Sequence, residues 1–246
     1  MNPAMPELRA LRAHVHYQLL LLVRTPRAAF AGLLLPLGLL LLRGDGHPGA
    51  DLVAGLTVLG ALSTGYLTHA AGLVTARESG VLRRWRDSPL PPWAFFAGRM
   101  VATTLVAVGG AVATLAVAAV AYHVSPGPAG AVGVLVALVV GTLCVAALGT
   151  AATAAVPTAE SAQPVLSLTF YPLVLLSGAL GGAAGGSGRL GRVLGLLPVE
   201  PMIDAVTRAL QQGTGVLPPV GDLAVLAGWT AVGLIVSLVS FRWQPS

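Results

Sequence analysis

The sequence contains no lysine, a single cysteine and very little charge: only 9% of its 246 residues are Asp, Glu, Lys or Arg. Without lysine the phosphate-binding pattern GxxxxGK[ST] cannot occur, so ATP hydrolysis is not expected in this chain. The lone thiol, Cys144, lies inside an apolar run and excludes an intrachain disulfide. No Cys/His cluster has metal-ligand spacing, so no metal site is expected. No Ser/His/Asp set falls at one depth of an apolar segment. A soluble domain carries roughly 25% charged residues, and a chain this poor in charge cannot cover its surface in water.

What is present is apolar. Hydrophobic residues make up 55% of the chain and the mean hydropathy is +0.82. The bilayer is therefore the expected solvent. A spanning helix needs about 20 mostly apolar residues, and six segments qualify or come close: 28–42, 52–76, 100–122, 130–156, 164–180 and 223–241. The first is the shortest and reaches the interface if Arg24 and Arg27 snorkel. No charged residue occurs from Met100 to Ala159. That stretch is too long for one helix and is divided by His123-Val124-Ser125-Pro126-Gly127-Pro128, where proline and glycine end helices. The first long apolar run starts near Ala28 with no small-residue cleavage site before Arg43, so no cleavable leader is expected.

All 14 basic residues are arginines. They cluster between the apolar runs, which fits membrane topology better than a nucleic-acid surface, for which the chain offers no soluble face. With the N-terminus inside, Arg9, Arg12, Arg24, Arg27, Arg77, Arg83, Arg84, Arg86, Arg99 and Arg242 are cytoplasmic, against Arg43, Arg189, Arg192 and Arg208 outside. That bias predicts both termini in the cytoplasm of a cell-membrane protein. Two further helices are expected not to span. In 7–24, Leu8, Leu11, Val15, Leu19 and Leu22 share one face, predicting an amphipathic interface helix. In 198–213, Ile203, Val206 and Leu210 share a face, Asp204 and Arg208 pair at i, i+4, and Glu200 and Pro201 suit the first turn. The expected fold is thus an all-α integral membrane protein, a single transmembrane domain over 1–246.

Between the second and third spans runs Arg77-Glu78-Ser79-Gly80-Val81-Leu82-Arg83-Arg84-Trp85-Arg86-Asp87-Ser88-Pro89-Leu90. It resembles the signature loop of ABC transporter type 2 permeases, the exporter family that includes the daunorubicin-resistance permeases. Glu78, Gly80, Leu82, Arg83, Ser88, Pro89 and Leu90 occupy that family's acidic, Gly, apolar, basic and Ser/Thr-Pro-Leu places. Gly98-Arg99 stands where the family usually has Gly-Lys. Phe170-Tyr171-Pro172 with Leu176-Ser177-Gly178, and Leu197-Pro198 with Ile203-Asp204-Ala205, resemble two further family patterns. The tract Gly181–Gly188 and the Pro/Gly-rich residues 218–222 depart from it.

The resemblance implies a permease subunit of an ABC exporter. It implies a coupling helix over 77–90 seated in a separate ATP-binding cassette subunit, which would bind ATP and Mg while this chain holds no cofactor. The coupling surface would comprise Glu78, Gly80, Val81, Leu82, Arg83, Arg84, Trp85 and Pro89. Charge alone would require only a loop obeying the positive-inside rule. A second permease protomer, identical or related, would complete the path. Its walls would include Ser63, Thr64, Tyr66 and Thr68 of span two and Ser167, Thr169, Tyr171 and Ser177 of span five, suiting an amphipathic drug, antibiotic or lipid-like cargo. Such hydroxyls also serve helix packing. Glu160 is expected in the loop between spans four and five, as a minor ATPase contact or a solvated charge. His69 is the titratable group deepest in a span; a hydrogen bond to a neighbouring helix explains it more simply than a proton relay. Gly178/Gly182 and Gly182/Gly186 have GxxxG spacing, which suits either close packing or a flexible exit. The rival readings are a carrier driven by an ion gradient, which the absence of intramembrane charge disfavours, and a non-transporting membrane scaffold.

Overall fold

The computed structural model describes residues 4–24, 30–43, 47–86, 92–177, 195–212 and 217–240, and all the regular structure among them is helical. Helix α1 covers Ala4–Val23. A π-helical turn, Phe30–Leu34, leads into α2, Leu35–Arg43. Ala50–Leu62 (α3), a second π-helical turn at Ser63–Thr68 and His69–Glu78 (α4) form one continuous rod. A six-residue helix, Val81–Arg86 (α5), precedes the long α6, Pro92–Tyr122. Pro128–Ala152 (α7), Ala159–Leu176 (α8), Val199–Gln212 (α9) and Val220–Ser240 (α10) complete the bundle.

Among the described residues, four helices are long and apolar enough to cross a membrane: Ala50–Glu78, Ala94–Tyr122, Gly130–Ala155 and Val220–Val239. A shorter apolar helix, Gly32–Leu42, covers much of the first expected span. Helix α8 lies over the fifth, but it starts at Ala159 and carries Glu160, Ser161 and Gln163 in its first turns. The glycine tract 181–188, with Gly178, Gly182 and Gly186, lies outside the described residues.

The α3–α4 rod is the centre of the bundle; Val53, Leu56, Val58 and Leu62 are closed off on every side. Lipid is as apolar as leucine, so helices in a bilayer associate through close backbone approach rather than by escaping water. Glycine supplies that approach here. A Cβ on Gly60 would sit 2.6 Å from the Gly32 carbonyl oxygen, and one on Gly110 would sit 3.0 Å from the same atom. Three helices therefore meet at Gly32. Val232, Ile235, Leu238 and Val239 of α10 are exposed, as expected of a lipid-facing surface.

Helix ends follow local chemistry. Gly127 caps α7 with Pro128 in its first turn, where a missing N–H is harmless. The left-handed residue His123 closes α6, and the Val124 N–H turns back to the Ala118 carbonyl at 3.3 Å. Helix α9 buries Val199, Met202, Val206 and Ala209 and exposes Asp204 and Gln211. The face foreseen from Ile203 and Leu210 is only partly covered. Its polar side holds Arg208 between Asp204 at 3.2 Å and Asp222 at 3.0 Å. Burial first, then the repulsion of Asp204, raises the Glu200 pKa. Burial likewise raises that of Asp204, against the pull of Arg208.

Candidate functional site

The segment expected as one coupling helix over 77–90 is divided. Helix α4 continues the second span through Glu78, the chain turns at Ser79-Gly80, and α5 starts at Val81. Gly80 has φ +72°, a left-handed conformation that costs other residues roughly 1–2 kcal/mol. The break is built into the sequence by this glycine. Helix α5 then hangs on Leu82, fully buried against Leu73 and Phe95. The expectation that Leu82 faces a partner is therefore corrected, because an apolar side chain this near the bundle is taken up by it. Val81 is 40% exposed and Arg84 is exposed. Arg83 and Trp85 belong to α5, but their side chains lie outside the described residues, as does Pro89 entirely.

Glu78 lies at the end of the spanning rod. Its Oε1 accepts a hydrogen bond from the Ala159 N–H at 2.7 Å. Ala159 is the first residue of α8, where backbone donors lack partners within the helix. Thr158 takes another of them, accepting from the Ser161 N–H at 3.2 Å. Glu160 consequently stands in the first turn of a helix, not in a loop. The preceding residue, Arg77, is buried and works on the opposite polarity. Its guanidinium donates to the Thr153 carbonyl at 3.4 Å, to the Pro157 carbonyl at 3.1 Å and to the Val156 carbonyl. Those oxygens end α7 and the turn after it. A cation on the carbonyl end of one helix and a carboxylate on the amide end of the next both match the helix dipoles.

Arg99, expected in the loop before span three, lies inside α6 and is buried. Its Nη1 donates to Gln18 Oε1 at 3.1 Å and its Nη2 to the His69 carbonyl at 3.2 Å. Gln18 Nε2 in turn lies 3.5 Å from His14 Nε2. Beside it, a Cβ on Gly98 would come within 2.5 Å of the His14 ring. The Gly98-Arg99 pair is thus the seat of α1: glycine admits the ring and arginine holds the amide. The stripe of α1 buried here carries His14 and Gln18, while Val15 and Leu19 of the face the periodicity marks are half-buried. A polar pair at i, i+4 in an otherwise apolar stretch was the available signal.

His69 is hydrogen-bonded to two neighbouring helices. Its Nε2 lies 3.1 Å from Thr150 Oγ1, and its Nδ1 lies 3.0 Å from Thr103 Oγ1. The Thr150 hydroxyl donates to the Ala146 carbonyl at 2.9 Å, so its oxygen accepts from the imidazole. With the ring neutral, Thr103 donates to Nδ1.

The residues expected along a path separate into two groups. Ser63, Thr64 and Tyr66 are buried within the bundle, with Thr68 partly so. Ser63 donates to the Leu59 carbonyl at 2.8 Å and Ser177 to that of Val174 at 2.9 Å. Of the span-five group, Ser167 is half-buried, while Thr169 and Tyr171 are exposed beside Leu168 and Leu175. Tyr66 joins the two groups through a 2.7 Å hydrogen bond to Thr169 Oγ1 and stacks on Phe170 with ring centres 6.3 Å apart. Sequence reasoning overlooked an apolar groove of about 270 Å³ between α6 and α7, lined by Val112, Leu115, Val134 and Leu138.

A lipid-facing helical bundle with a short interrupted helix below its most buried span defines a multi-pass membrane protein. The model of the ABC-2 family transporter proteins matches residues 49–239, and the chain belongs to that family. It is accordingly a permease of an ABC transporter. No curated protein matches it.

Proposed function

We propose that the chain is the membrane subunit of an exporter that moves an amphipathic drug, antibiotic or lipid-like molecule out of the cell. A separate ATP-binding cassette subunit, carrying ATP and Mg, supplies the work. In this reading six helices cross the cell membrane, both termini are cytoplasmic, and α5 with Glu78, Gly80, Arg83, Arg84, Trp85 and Pro89 forms the region the ATPase engages. The observation that carries the proposal is the placement of α5: it is anchored by Leu82, turned by Gly80 and leaves Val81 and Arg84 exposed at the foot of the central rod. An apolar residue beside arginine suits a protein interface, where aromatic and arginine anchors dominate binding.

The exposed strip of α8 through Leu168, Tyr171 and Leu175 supports a second protomer, with the path between the two copies. Thr169 and Tyr171 would then be the wall groups nearest the cargo, and Tyr66 would support them from behind. A carrier driven by an ion gradient has less support, since both nitrogens of His69 are engaged by threonines.

The test is co-expression of the tagged chain with its candidate ATPase, extraction in mild detergent and ATP turnover measured across a panel of amphipathic compounds. The expected result is a stable complex whose turnover responds to a compound. Failure of any ATPase to bind would remove the coupling assignment.

A further inference from the structure

We infer that Arg77 and Glu78 act inside the chain as a latch, fastening the end of α4 to the turn between α7 and α8 so that these helix ends move as one body. This deepens the proposed function and rests on its reading of α5 as the ATPase seat. It assigns Glu78 a different task from direct contact with that partner.

The geometry argues for the latch from both ends of the turn. The carbonyls that close α7 and its 3₁₀ extension, Thr153–Ala155, each have two lone pairs, and that of Thr153 gives one to the Val156 N–H at 3.2 Å. Arg77 supplies donors to those of Thr153, Val156 and Pro157. Helix α8 starts with an N–H that has no intrahelical acceptor, and Glu78 supplies one at 2.7 Å. Two successive residues thus complete two different helices, each with the charge its dipole favours. Coincidence would not put the cation at the carbonyl end and the anion at the amide end.

The bonds continue into the bundle. Thr153 Oγ1 donates to the Thr150 carbonyl at 2.6 Å, and Thr150 Oγ1 accepts from His69, eight residues before Arg77 on the same rod. The α4–α7 corner is therefore fixed at two levels, His69 and Arg77. One residue beyond Glu78 the order ends: Ser79 and the left-handed Gly80 make the only sharp bend between rod and α5 among the described residues here. A displacement of α5 reaches Glu78 across that bend, and Glu78 passes it to the first turn of α8. Helix α8 carries Thr169 and Tyr171, the groups placed on the proposed path. Force on α5 would then reach the path through α8 and not only through α4.

A contact residue and a latch residue respond differently to substitution. Glu78→Gln keeps an acceptor oxygen, so it should retain most of the transport, whereas Glu78→Ala should lower transport about tenfold or more. Both should keep the ATPase in the complex at the wild-type ratio. A second measurement is independent of the partner. Nitroxides on Thr75→Cys and Gln163→Cys, in a Cys144→Ala background, report the α4–α8 distance in detergent or nanodiscs. The distance distribution should be narrow, and should broaden with Glu78→Ala or Arg77→Ala but not with Arg77→Lys.

Loss of the ATPase from the complex in Glu78→Gln as well as Glu78→Ala would overturn the latch and make Glu78 a partner contact. So would a distance distribution that Glu78→Ala and Arg77→Ala leave unchanged. If the unsubstituted chain binds no ATPase at all, the proposed function falls, while the distance measurement still decides the latch.

Discussion

Arg99 of α6 donates to Gln18 of α1 over 3.1 Å, and this buried bond is a polar tie between the N-terminal helix and the bundle. The guanidinium also holds the His69 carbonyl, so one side chain joins α1, α4 and α6. Neutral hydrogen bonds contribute about 1 kcal/mol and those to charged groups about 1.5–3 kcal/mol. Stranding a buried charge costs more, about 3–5 kcal/mol. Gln18→Leu, which leaves the buried cation and removes one of its two partners, should therefore lower thermal stability in detergent more than Arg99→Met, which removes the charge. The reverse order would mean that Arg99 reaches water.

His14 supplies a pH dependence. Burial is the main reason its pKa falls below the ordinary value of 6.5; the Phe95 backbone hydrogen bond opposes that, and the Arg99 charge adds to it. A histidine whose folded pKa is depressed contributes fully above its unfolded value. That contribution is lost as pH falls through 6.5 towards the folded pKa. Docking of α1 on α6 should therefore weaken as pH falls below about 6.5. Hydrogen exchange of residues 12–21 should rise below that pH and become flat with pH in His14→Gln. An unchanged pH response in that variant would place the titrating group elsewhere.

Gly80→Ala should be destabilising by about 1–2 kcal/mol with no steric contribution, because a Cβ there meets nothing within 4 Å. Gly80→Asn should be milder, since asparagine visits left-handed conformations more readily. Melting curves of the two variants give the comparison; equal losses would show that the bend is not held left-handed.

Packing at Gly60 can be separated from helix propensity. Gly60→Ala drives a methyl group to 2.6 Å from the Gly32 carbonyl, whereas Gly228→Ala meets nothing within 4 Å. Both changes favour a helix by roughly 1 kcal/mol, so Gly228→Ala should be neutral or stabilising and Gly60→Ala clearly destabilising. Similar melting temperatures would refute close approach of α3 to the Phe30–Leu34 turn.

The apolar helices were legible because span length and charge depletion are set by the bilayer itself. Charged positions inside helices were not. Arg99 and Arg77 hydrogen-bond to carbonyls and an amide far away in sequence, and hydropathy treats any arginine as a boundary. Leu82 read as surface because a pattern of spacing records what a loop contains, not that Leu73 and Phe95 wait beside it. Likewise, apolar periodicity in α1 could not point to Gln18, whose amide is bound by Arg99 of α6. Tyr66 and Thr169 were each named from sequence, yet nothing in their separation implied that they touch.

The π-helical turn at Ser63–Thr68 divides the central rod into halves set by an extra residue. If it relaxed to α geometry, everything from His69 onward would rotate by roughly 100°, the angle of one residue. His69 would swing away from Thr103 and Thr150, and Arg77 from the three carbonyls it serves. The π-helical turn therefore keys the lower half of the rod to the upper: the register that seats His69 and Arg77 depends on it.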